Sequence, residues 1–402
     1  MKRAAAARPP VLRLARRVRA LEPVVTQAMS LRAAALKSQG RHVLDFSVGE
    51  PDQGTPAHVV AAAKQALDGG RTRYAPSAGL PELRAAVAEA YRRDFGAGFE
   101  RDEVVATIGG KQALYLACQA LLGPGDEVVI PTPYWPTFAE AVRLAGARPV
   151  FVDLQEEQGF GLTARAVTKA VTSRTRAVVV NTPSNPTGAV VAPAELLALG
   201  RLAKRRKLAL LYDDTYACLA LEPQPAGLLG ELRRAAGDAL VVLGTSSKTH
   251  CMTGWRIGWL LGPKALCQAV VSLVSHSTQC PATFAQVAAV TALTGPQEHV
   301  RSLVAEYRRR RDLVHPAVRD LAGVSCVRPA GAFYVFPNVS RLLSPRVRTS
   351  LELAERLLDE AALACVPGEG FGRPGFLRLS FARPMEELRE GLRRLQDFFA
   401  AL

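Results

Sequence analysis

One lysine-centred segment contains the side chains best suited to covalent chemistry. Lys248 follows two small hydroxyl residues, Thr245 and Ser247, and Arg256 lies eight residues further on. A lysine amine can hold a carbonyl cofactor as a Schiff base, while hydroxyls and a guanidinium fork can bind a phosphate. These are the needs of pyridoxal 5'-phosphate. A Ser/Thr-Lys turn after a strand is usually only a solvated loop, so other segments must decide between the two.

A pair of carboxylates follows another apolar run. Asp213 and Asp214 come directly after Leu208–Tyr212, which predicts a strand, and Tyr216 follows them. Parallel sheets bind ligands at the carboxyl ends of their strands. A carboxylate there can keep a pyridine nitrogen protonated and so make the ring an electron sink. The alternative is a helix cap or turn, which also favours aspartate.

Two further turns carry groups that suit a polar ligand. The sequence Asn-Pro-Thr-Gly begins at Asn185, just after the predicted strand 177–181. Gly110 and Lys111 join the predicted strand 104–108 to a helix, whose first N–H groups can bind an anion. Each motif by itself is only a turn signal.

Arg378 lies in the middle of the apolar segment Phe376–Phe381, which predicts a strand. Burying an unpaired guanidinium is costly. Either a nearby acid or the carboxylate of a ligand must therefore pair with this arginine.

The elements that position these residues form a regular series. Apolar strands alternate with amphipathic helices between residues 102 and 260, which predicts an α/β fold with a mainly parallel sheet. The predicted strands are 104–108, 127–130, 148–152, 177–181, 208–212, 240–244 and 258–261. Towards the chain ends, helical periodicity covers 24–40, 56–68, 81–94, 282–294, 297–321, 351–364 and 385–401, with short strands at 43–46, 331–336 and 376–381.

Together these motifs, in this order and spacing, resemble the class I pyridoxal-phosphate-dependent aminotransferases of fold type I, from about Leu14 to Leu402. Within that family the sequence is most similar to the bacterial aspartate/prephenate aminotransferase subgroup. The resemblance implies a large, mainly parallel α/β/α domain and a smaller α/β domain built from both chain ends. The expected division is a basic extension (1–13), an N-terminal arm with part of the small domain (14–60), a large cofactor domain (61–295) and a small C-terminal domain (296–402).

The resemblance also implies a role for each motif. The lysine that binds the cofactor is Lys248, and the remaining cofactor residues are Gly110, Lys111, Trp135, Asn185, Asp213, Tyr216, Thr245, Ser247, Arg256 and Tyr74. Trp135 is expected to stack on the pyridine ring, although sequence alone favours plain core packing for it. Tyr74 is expected to reach the cofactor phosphate of a neighbouring subunit, which makes a homodimer part of the prediction.

Substrate binding is expected from a partly shared set, Gly49, Lys111, Trp135, Asn185 and Arg378. In this family Arg378 corresponds to the arginine that binds the α-carboxylate, and Lys111 to the lysine that binds a distal carboxylate. Glu22 stands where many subgroup members carry a basic residue, and an acid there would repel a dicarboxylate. That departure puts the substrate in question but leaves the cofactor chemistry unaffected.

Composition limits the remaining function classes. The formal net charge is +15, of which +7 lies in the acid-free stretch 1–19 and the remaining +8 is spread through arginine-rich helices. They lack the interleaved aromatic residues of a single-strand nucleic-acid platform, so we expect no nucleic-acid partner. No apolar run approaches a membrane span. The seven scattered cysteines indicate reduced thiols, no metal site and a cytoplasmic location; the acid-poor start is also typical of an organelle transit peptide.

The sequence therefore predicts an aminotransferase that moves an amino group from an L-amino acid, aspartate or a similar acid, to a 2-oxo acid such as 2-oxoglutarate. One alternative keeps the cofactor but changes the fate of the carbanion, as in a β-lyase or an amino-acid oxidase. Another is a cofactor-binding regulator, for which residues 1–40 are too short to hold a DNA-binding module and linker.

Overall fold

A computed structural model describes residues 12, 14–19, 21 and 25–402 of the chain. Glu22 and nearly all of the basic extension lie outside these residues. Within the described part, no helix is both long enough and apolar enough to cross a membrane.

A seven-stranded sheet forms the centre of the molecule. Its strands are β2 (Val104–Thr107), β3 (Glu127–Thr132), β4 (Arg148–Asp153), β5 (Thr175–Asn181), β6 (Ala209–Asp213), β7 (Leu240–Thr245) and β8 (Gly258–Leu261), preceded in the chain by β1 (Leu44–Asp45). They are arranged in the order β2-β8-β7-β6-β5-β3-β4. All pairs are parallel except those of β8, which is antiparallel to both β2 and β7. The predicted α/β class and mainly parallel sheet are confirmed.

Helices cover both faces of this sheet, whose inner strands β5, β6 and β7 are mainly apolar and buried on both sides, whereas the edge strand β4 is partly exposed. Along β5, Val178 and Val180 pack into one core cluster, while Ala177 and Val179 pack into another on the opposite face. The helices of the chain's first three-quarters are α1 (Arg16–Arg19), α2 (Val25–Ser38), α3 (Ala57–Asp68), α4 (Pro81–Phe95), α5 (Gly109–Leu121), α6 (Thr137–Leu144), α7 (Ala164–Ala170), α8 (Pro193–Arg206), α9 (Leu228–Ala236), α10 (Lys264–Ser275) and α11 (Thr283–Thr294).

Both chain ends contribute to a third core cluster. Residues Met29–Phe46 meet residues Leu303–Phe398 there, together with the segment Tyr216–Leu221. The remaining helices are α12 (Glu298–Arg319), α13 (Ser350–Ala361) and α14 (Met385–Ala400), and the remaining strands are β9 (Tyr334–Val335), β10 (Leu363–Ala364), β11 (Val366–Pro367) and β12 (Leu377–Ser380). A three-stranded antiparallel sheet has the order β11-β12-β9, and β1 pairs in parallel with β10.

The predicted helix 351–364 was wrong at its carboxyl end. Ala362 has a left-handed φ of 50°, which ends α13 and lets the chain turn. Leu363 and Ala364 then form β10, paired with Leu44 and Asp45. The predicted strand 331–336 is also shorter, because only Tyr334 and Val335 join the ladder with β12.

Candidate active site

A cavity of about 480 Å³ opens at the carboxyl ends of β5, β6 and β7. Twelve of the sequence-predicted residues line it, namely Gly49, Gly110, Lys111, Trp135, Asn185, Asp213, Tyr216, Thr245, Ser247, Lys248, Arg256 and Arg378. These residues are spread along the sequence from Gly49 to Arg378. The large sheet brings many of them together because the carboxyl ends of its parallel strands lie at one edge.

Lys248 lies just beyond β7 and projects its amine into the cavity wall. Its Nζ atom donates a 2.7 Å hydrogen bond to the carbonyl oxygen of Gly49. The pKa of Lys248 is lowered to about 8, mainly by burial; Glu50 opposes this lowering, and the cations Arg378 and Arg256 add to it. A buried lysine with a depressed pKa has an amine that is neutral, and therefore nucleophilic, in a substantial fraction of molecules near neutral pH.

One end of the cavity collects groups that suit a phosphate. The Thr245 hydroxyl donates to the carbonyl oxygen of Ile257 at 2.7 Å and lies 2.9 Å from the Ser247 hydroxyl. The Arg256 guanidinium lies against Gly109, where an added Cβ atom would be 2.4 Å from Nη2. Gly109 has a φ of +76°, so glycine is required here for conformation as well as for space. The hydroxyls, the guanidinium and the start of α5 form a cradle for an anion.

The two adjacent carboxylates have different surroundings. Asp213 lines the cavity, and its Oδ1 atom accepts the backbone N–H of Thr215 at 3.0 Å. Asp214 is buried, and its Oδ2 atom accepts a hydrogen bond from the Tyr91 hydroxyl, which in turn accepts one from Trp259 Nε1 at 2.9 Å. Burial raises the pKa of Asp213, and it raises the pKa of Asp214 to about 8. Asp213 therefore stabilises a turn through Thr215 and also lines the cavity, so both interpretations from the sequence are compatible. Of the two carboxylates, Asp213 is the one at the cavity surface.

Further polar groups line the same cavity as Asp213. The hydroxyls of Tyr216 and Tyr334 lie 2.8 Å apart. Asn185 donates its backbone N–H to Asn181 Oδ1 at 2.9 Å, which leaves the Asn185 side chain directed at Arg378. These hydroxyl and amide groups can donate to an oxygen substituent of a bound ring.

Arg378 is 3% exposed in β12, as the apolar strand pattern predicted. Its Nη2 atom donates to the carbonyl oxygen of Ser47 at 2.6 Å, and its Nη1 atom donates to Asn185 Oδ1 at 3.0 Å. The Nε atom is buried without a partner among the described residues. The two groups that accept from this guanidinium, a backbone carbonyl and a side-chain amide, are neutral, so a ligand carboxylate is the group that would compensate the buried charge.

Lys111 and Trp135 form a neighbouring pair. The Lys111 Nζ atom lies 5.3 Å from the centre of the Trp135 ring, and burial lowers its pKa. Trp135 also packs edge-on against Phe138, with ring centres 5.4 Å apart. The side chain therefore both packs in the core and presents a surface to the cavity.

Tyr74 is the one predicted cofactor residue that does not line this cavity. It is 86% exposed, in a loop without regular structure. Within one chain, therefore, the site lacks this group. The position of Glu22 relative to the cavity lies outside the described residues.

Sequence reasoning missed six lining residues, Ser30, Ser47, Val48, Asn181, Thr215 and Tyr334. Tyr334 lies in a short apolar strand and Ser47 directly follows another, so neither breaks a pattern. Asn181 belongs to a segment whose Asn185 was singled out, and its position at the end of β5 is the signal that could have identified it.

The aminotransferase class I and II family model matches residues 41–395. The chain is 40% identical to an aspartate aminotransferase of Geobacillus stearothermophilus over 97% of this chain and all of that protein. It is 44% identical to an aspartate/prephenate aminotransferase of Thermus thermophilus over 95% of this chain and 97% of that protein. The predicted resemblance is confirmed.

Solved structures give the same result for the fold. The aspartate aminotransferase from Thermus thermophilus with maleate superimposes with a TM-score of 0.90 at 43% identity, covering 96% of this chain and all of that one. The aspartate aminotransferase from Rhizobium meliloti gives 0.92 at 36% identity, covering 97% and 99%. These likenesses confirm the predicted fold type.

Proposed function

Because this chain belongs to the aminotransferase class I and II family and is an aminotransferase, we propose that it binds pyridoxal 5'-phosphate at Lys248 and uses an acidic amino donor. The observation that supports this most is the convergence of Lys248, Asp213 and Arg378 on one cavity. A nucleophilic amine, a buried carboxylate and a buried cation are the groups that cofactor linkage, ring protonation and carboxylate binding require.

The residues present fit the cofactor. Thr245, Ser247 and Arg256, with the Gly109–Gly110 turn, would hold the phosphate, and Asp213 would hold the pyridine nitrogen. When bound, pyridoxal phosphate supplies a carbonyl that links to amines and a ring that accepts an electron pair from a substrate carbanion. Trp135 would support the ring face, while Asn185 and Tyr216 would donate to its oxygen substituent.

The chain's own groups perform the proton transfers and the orientation. The neutral Lys248 amine removes the proton from the substrate Cα as general base. The ammonium group that forms can then donate this proton as general acid. Arg378 and the Gly49 N–H hold the α-carboxylate, which fixes the direction of the Cα–H bond. Asp213 would keep the ring nitrogen of the bound cofactor protonated.

We assign the distal carboxylate of the substrate to Lys111. Its amine lies beside Trp135 at the cavity wall and is partly desolvated, so an anion that replaces its water would be bound strongly. The amino donor on this account is L-aspartate or a similar acid, and the acceptor is 2-oxoglutarate. The names of the relatives, which include aspartate, agree with this assignment.

A homodimer completes the site in this proposal. Tyr74 is 86% exposed and does not line its own cavity, so it is available to a second subunit. We propose that Tyr74 of the partner subunit donates its hydroxyl to the cofactor phosphate. Mixing Tyr74→Phe chains with Lys248→Ala chains should then give hybrid dimers in which one of the two sites is fully intact.

The division of the chain and its location remain proposals as well. Core clusters on the two faces of the large sheet support a cofactor domain of about 61–295, and the cluster shared by both chain ends supports a small domain from 14–60 and 296–402. The seven free cysteines support a cytoplasmic location.

Turnover with paired substrates tests the function directly. L-Aspartate consumed only when 2-oxoglutarate is present, with equal amounts of L-glutamate formed, is the expected result. Consumption without any 2-oxo acid would indicate a lyase or an oxidase instead. The Lys111→Met variant should lose most of its preference for aspartate over alanine, while Lys264→Met, at an exposed ion pair, should keep it.

A further inference from the structure

The loop between β1 and α3 comprises residues 46–56 and contains no helix or strand. Two of its carbonyl groups contact the catalytic cations. The Ser47 oxygen accepts from Arg378 Nη2 at 2.6 Å, and the Gly49 oxygen accepts from Lys248 Nζ at 2.7 Å. The backbone of this loop is thus part of the wall of the site.

Side chains of the same loop attach it to the lysine segment. Glu50 accepts a hydrogen bond from the Thr253 hydroxyl at 3.0 Å. The Thr55 hydroxyl donates to the carbonyl oxygen of Cys251 at 2.6 Å and accepts from Trp255 Nε1 at 2.9 Å. All of these contacts are made with residues 251–255, a few positions beyond Lys248.

A different contact joins the loop to α12. Asp52 Oδ1 lies 2.8 Å from Arg310 Nη1, and the Nε atom of the same arginine lies 2.9 Å from Glu306 Oε1. The side chains of Arg310 and Asp52 are 6% and 13% exposed, so water screens their attraction little. Arg310 belongs to α12, whose Leu303 and Tyr307 are buried in the small-domain core.

We infer that the Asp52–Arg310 ion pair is a positioning contact for substrate carboxylate binding, because it fixes the Gly49 backbone relative to Arg378. An irregular loop has its position set by its side-chain contacts, and Asp52 is three residues from Gly49. The Gly49 backbone is closely packed at this point, since a Cβ atom at Gly49 would lie 2.8 Å from Tyr334 Oη and 3.7 Å from Arg378 Nη2. The inference rests on the proposed function, in which Gly49 and Arg378 share the α-carboxylate.

The helix offers a matched control one residue away. Arg311 is also buried, donates from Nη1 to an acid on another segment, Glu222, and donates from Nε to an acid of its own helix, Asp312. Arg310 has the same arrangement with Asp52 and Glu306. Glu222, however, is not part of the loop that lines the cavity, so Arg311 can contribute to stability without positioning Gly49.

The experiment compares Arg310→Lys with Arg311→Lys, since lysine keeps the charge but cannot bridge both acids. For Arg310→Lys we expect the KM of L-aspartate and of 2-oxoglutarate to rise about tenfold with kcat changed less than about threefold. The dissociation constant of maleate, used as an unreactive dicarboxylate and measured by calorimetry, should rise in parallel. Arg311→Lys should lower the unfolding temperature but leave KM and maleate binding unchanged.

A second variant keeps the test valid if Arg310→Lys does not fold. Asp52→Asn leaves α12 intact and should raise KM to a similar extent, and combining the two changes should add little, because both break one contact. Equal KM effects of the two arginine variants, or additive effects in the double variant, would overturn the inference. Turnover by the unsubstituted protein tests the proposed function separately, and the comparison of variants uses whichever acidic amino acid that protein accepts.

Discussion

The Lys248 amine donates a 2.7 Å hydrogen bond to the carbonyl oxygen of Gly49, 199 residues earlier in the chain. This contact joins the end of β7 to the loop that leads into α3. It places the reactive amine beside the backbone that we assign to the substrate carboxylate. The residue proposed to transfer the proton and the residues proposed to bind the carboxylate therefore contact the same loop.

The pKa of Lys248 predicts how the protein takes up its cofactor. Burial lowers that pKa to about 8, and only the neutral amine attacks a carbonyl. The rate of covalent uptake of pyridoxal phosphate by cofactor-free protein should rise about tenfold per pH unit below 8 and level off above it. Stopped-flow absorbance measures this rate. A rise that continues unchanged to pH 10 would show that the amine is not depressed.

Replacing Arg378 by lysine should impair use of every amino acid. Lysine cannot reproduce the fork that bonds Ser47 and Asn185 and still leaves Nε for a ligand. We expect kcat/KM for L-aspartate to fall about 100-fold or more. Arg383, five residues on, also bonds a backbone carbonyl, that of Asp45 at 2.8 Å. Steady-state kinetics should show little change for Arg383→Lys, and equal losses in both variants would contradict the assignment.

Gly109→Ala should weaken cofactor binding more than it weakens the fold. The new methyl group would meet the Arg256 guanidinium at 2.4 Å as well as being strained at a φ of +76°. Gly125 provides a control with strain alone, because its φ is +90° and nothing lies within 4 Å. The dissociation constant of pyridoxal phosphate, measured by equilibrium dialysis, should rise at least about tenfold for Gly109→Ala. Gly125→Ala should lower stability by about 1 kcal/mol and leave that constant unchanged.

The buried His250 makes stability depend on pH. The His299 ring centre lies 5.2 Å from the His250 ring centre and 6.2 Å from the His58 ring centre. Burial lowers the pKa of His250 to about 4, so the unfolded chain binds its proton more readily than the folded one. The stabilising contribution is complete above the unfolded pKa of about 6.5 and is lost as pH falls towards 4, by about 2–3 kcal/mol.

Urea unfolding at pH 7.5 and pH 5 tests that sign. His250→Phe should remove most of the difference in the free energy of unfolding between pH 7.5 and pH 5. The exposed His276, replaced by phenylalanine, should preserve it. The account of His250 is contradicted if both variants keep the full pH dependence.

The large sheet was predictable because each of its strands is a short apolar run bounded by turn residues. Asp213 and Lys248 were expected to meet because both follow such runs, and ends of parallel strands share an edge. The antiparallel direction of β8 was not predictable, since a strand's local pattern is the same whichever way its neighbour runs. The end of α13 at Ala362 was missed because alanine carries no signal for a left-handed turn.

The sequence also failed to predict neutral residues that line the cavity and ion pairs between residues far apart in the chain. Tyr334 and Ser47 line the cavity but belong to apolar stretches in which one hydroxyl disturbs no periodicity. The Asp52–Arg310 pair joins residues 258 positions apart, and arginine-rich α12 gave no indication of which of its cations would be buried. Only the three-dimensional arrangement separates Arg310 and Arg311 from the solvated arginines around them.

The absorption spectrum of the purified protein tests the central claim most directly. With pyridoxal phosphate bound, we predict a band near ~420 nm that falls while one near ~330 nm rises on addition of excess L-aspartate. Lys248→Ala should lack the band of the lysine-linked cofactor. Absence of any visible band after pyridoxal phosphate is added, or an unchanged spectrum in Lys248→Ala, would contradict the assignment of Lys248 and the chemistry built on it.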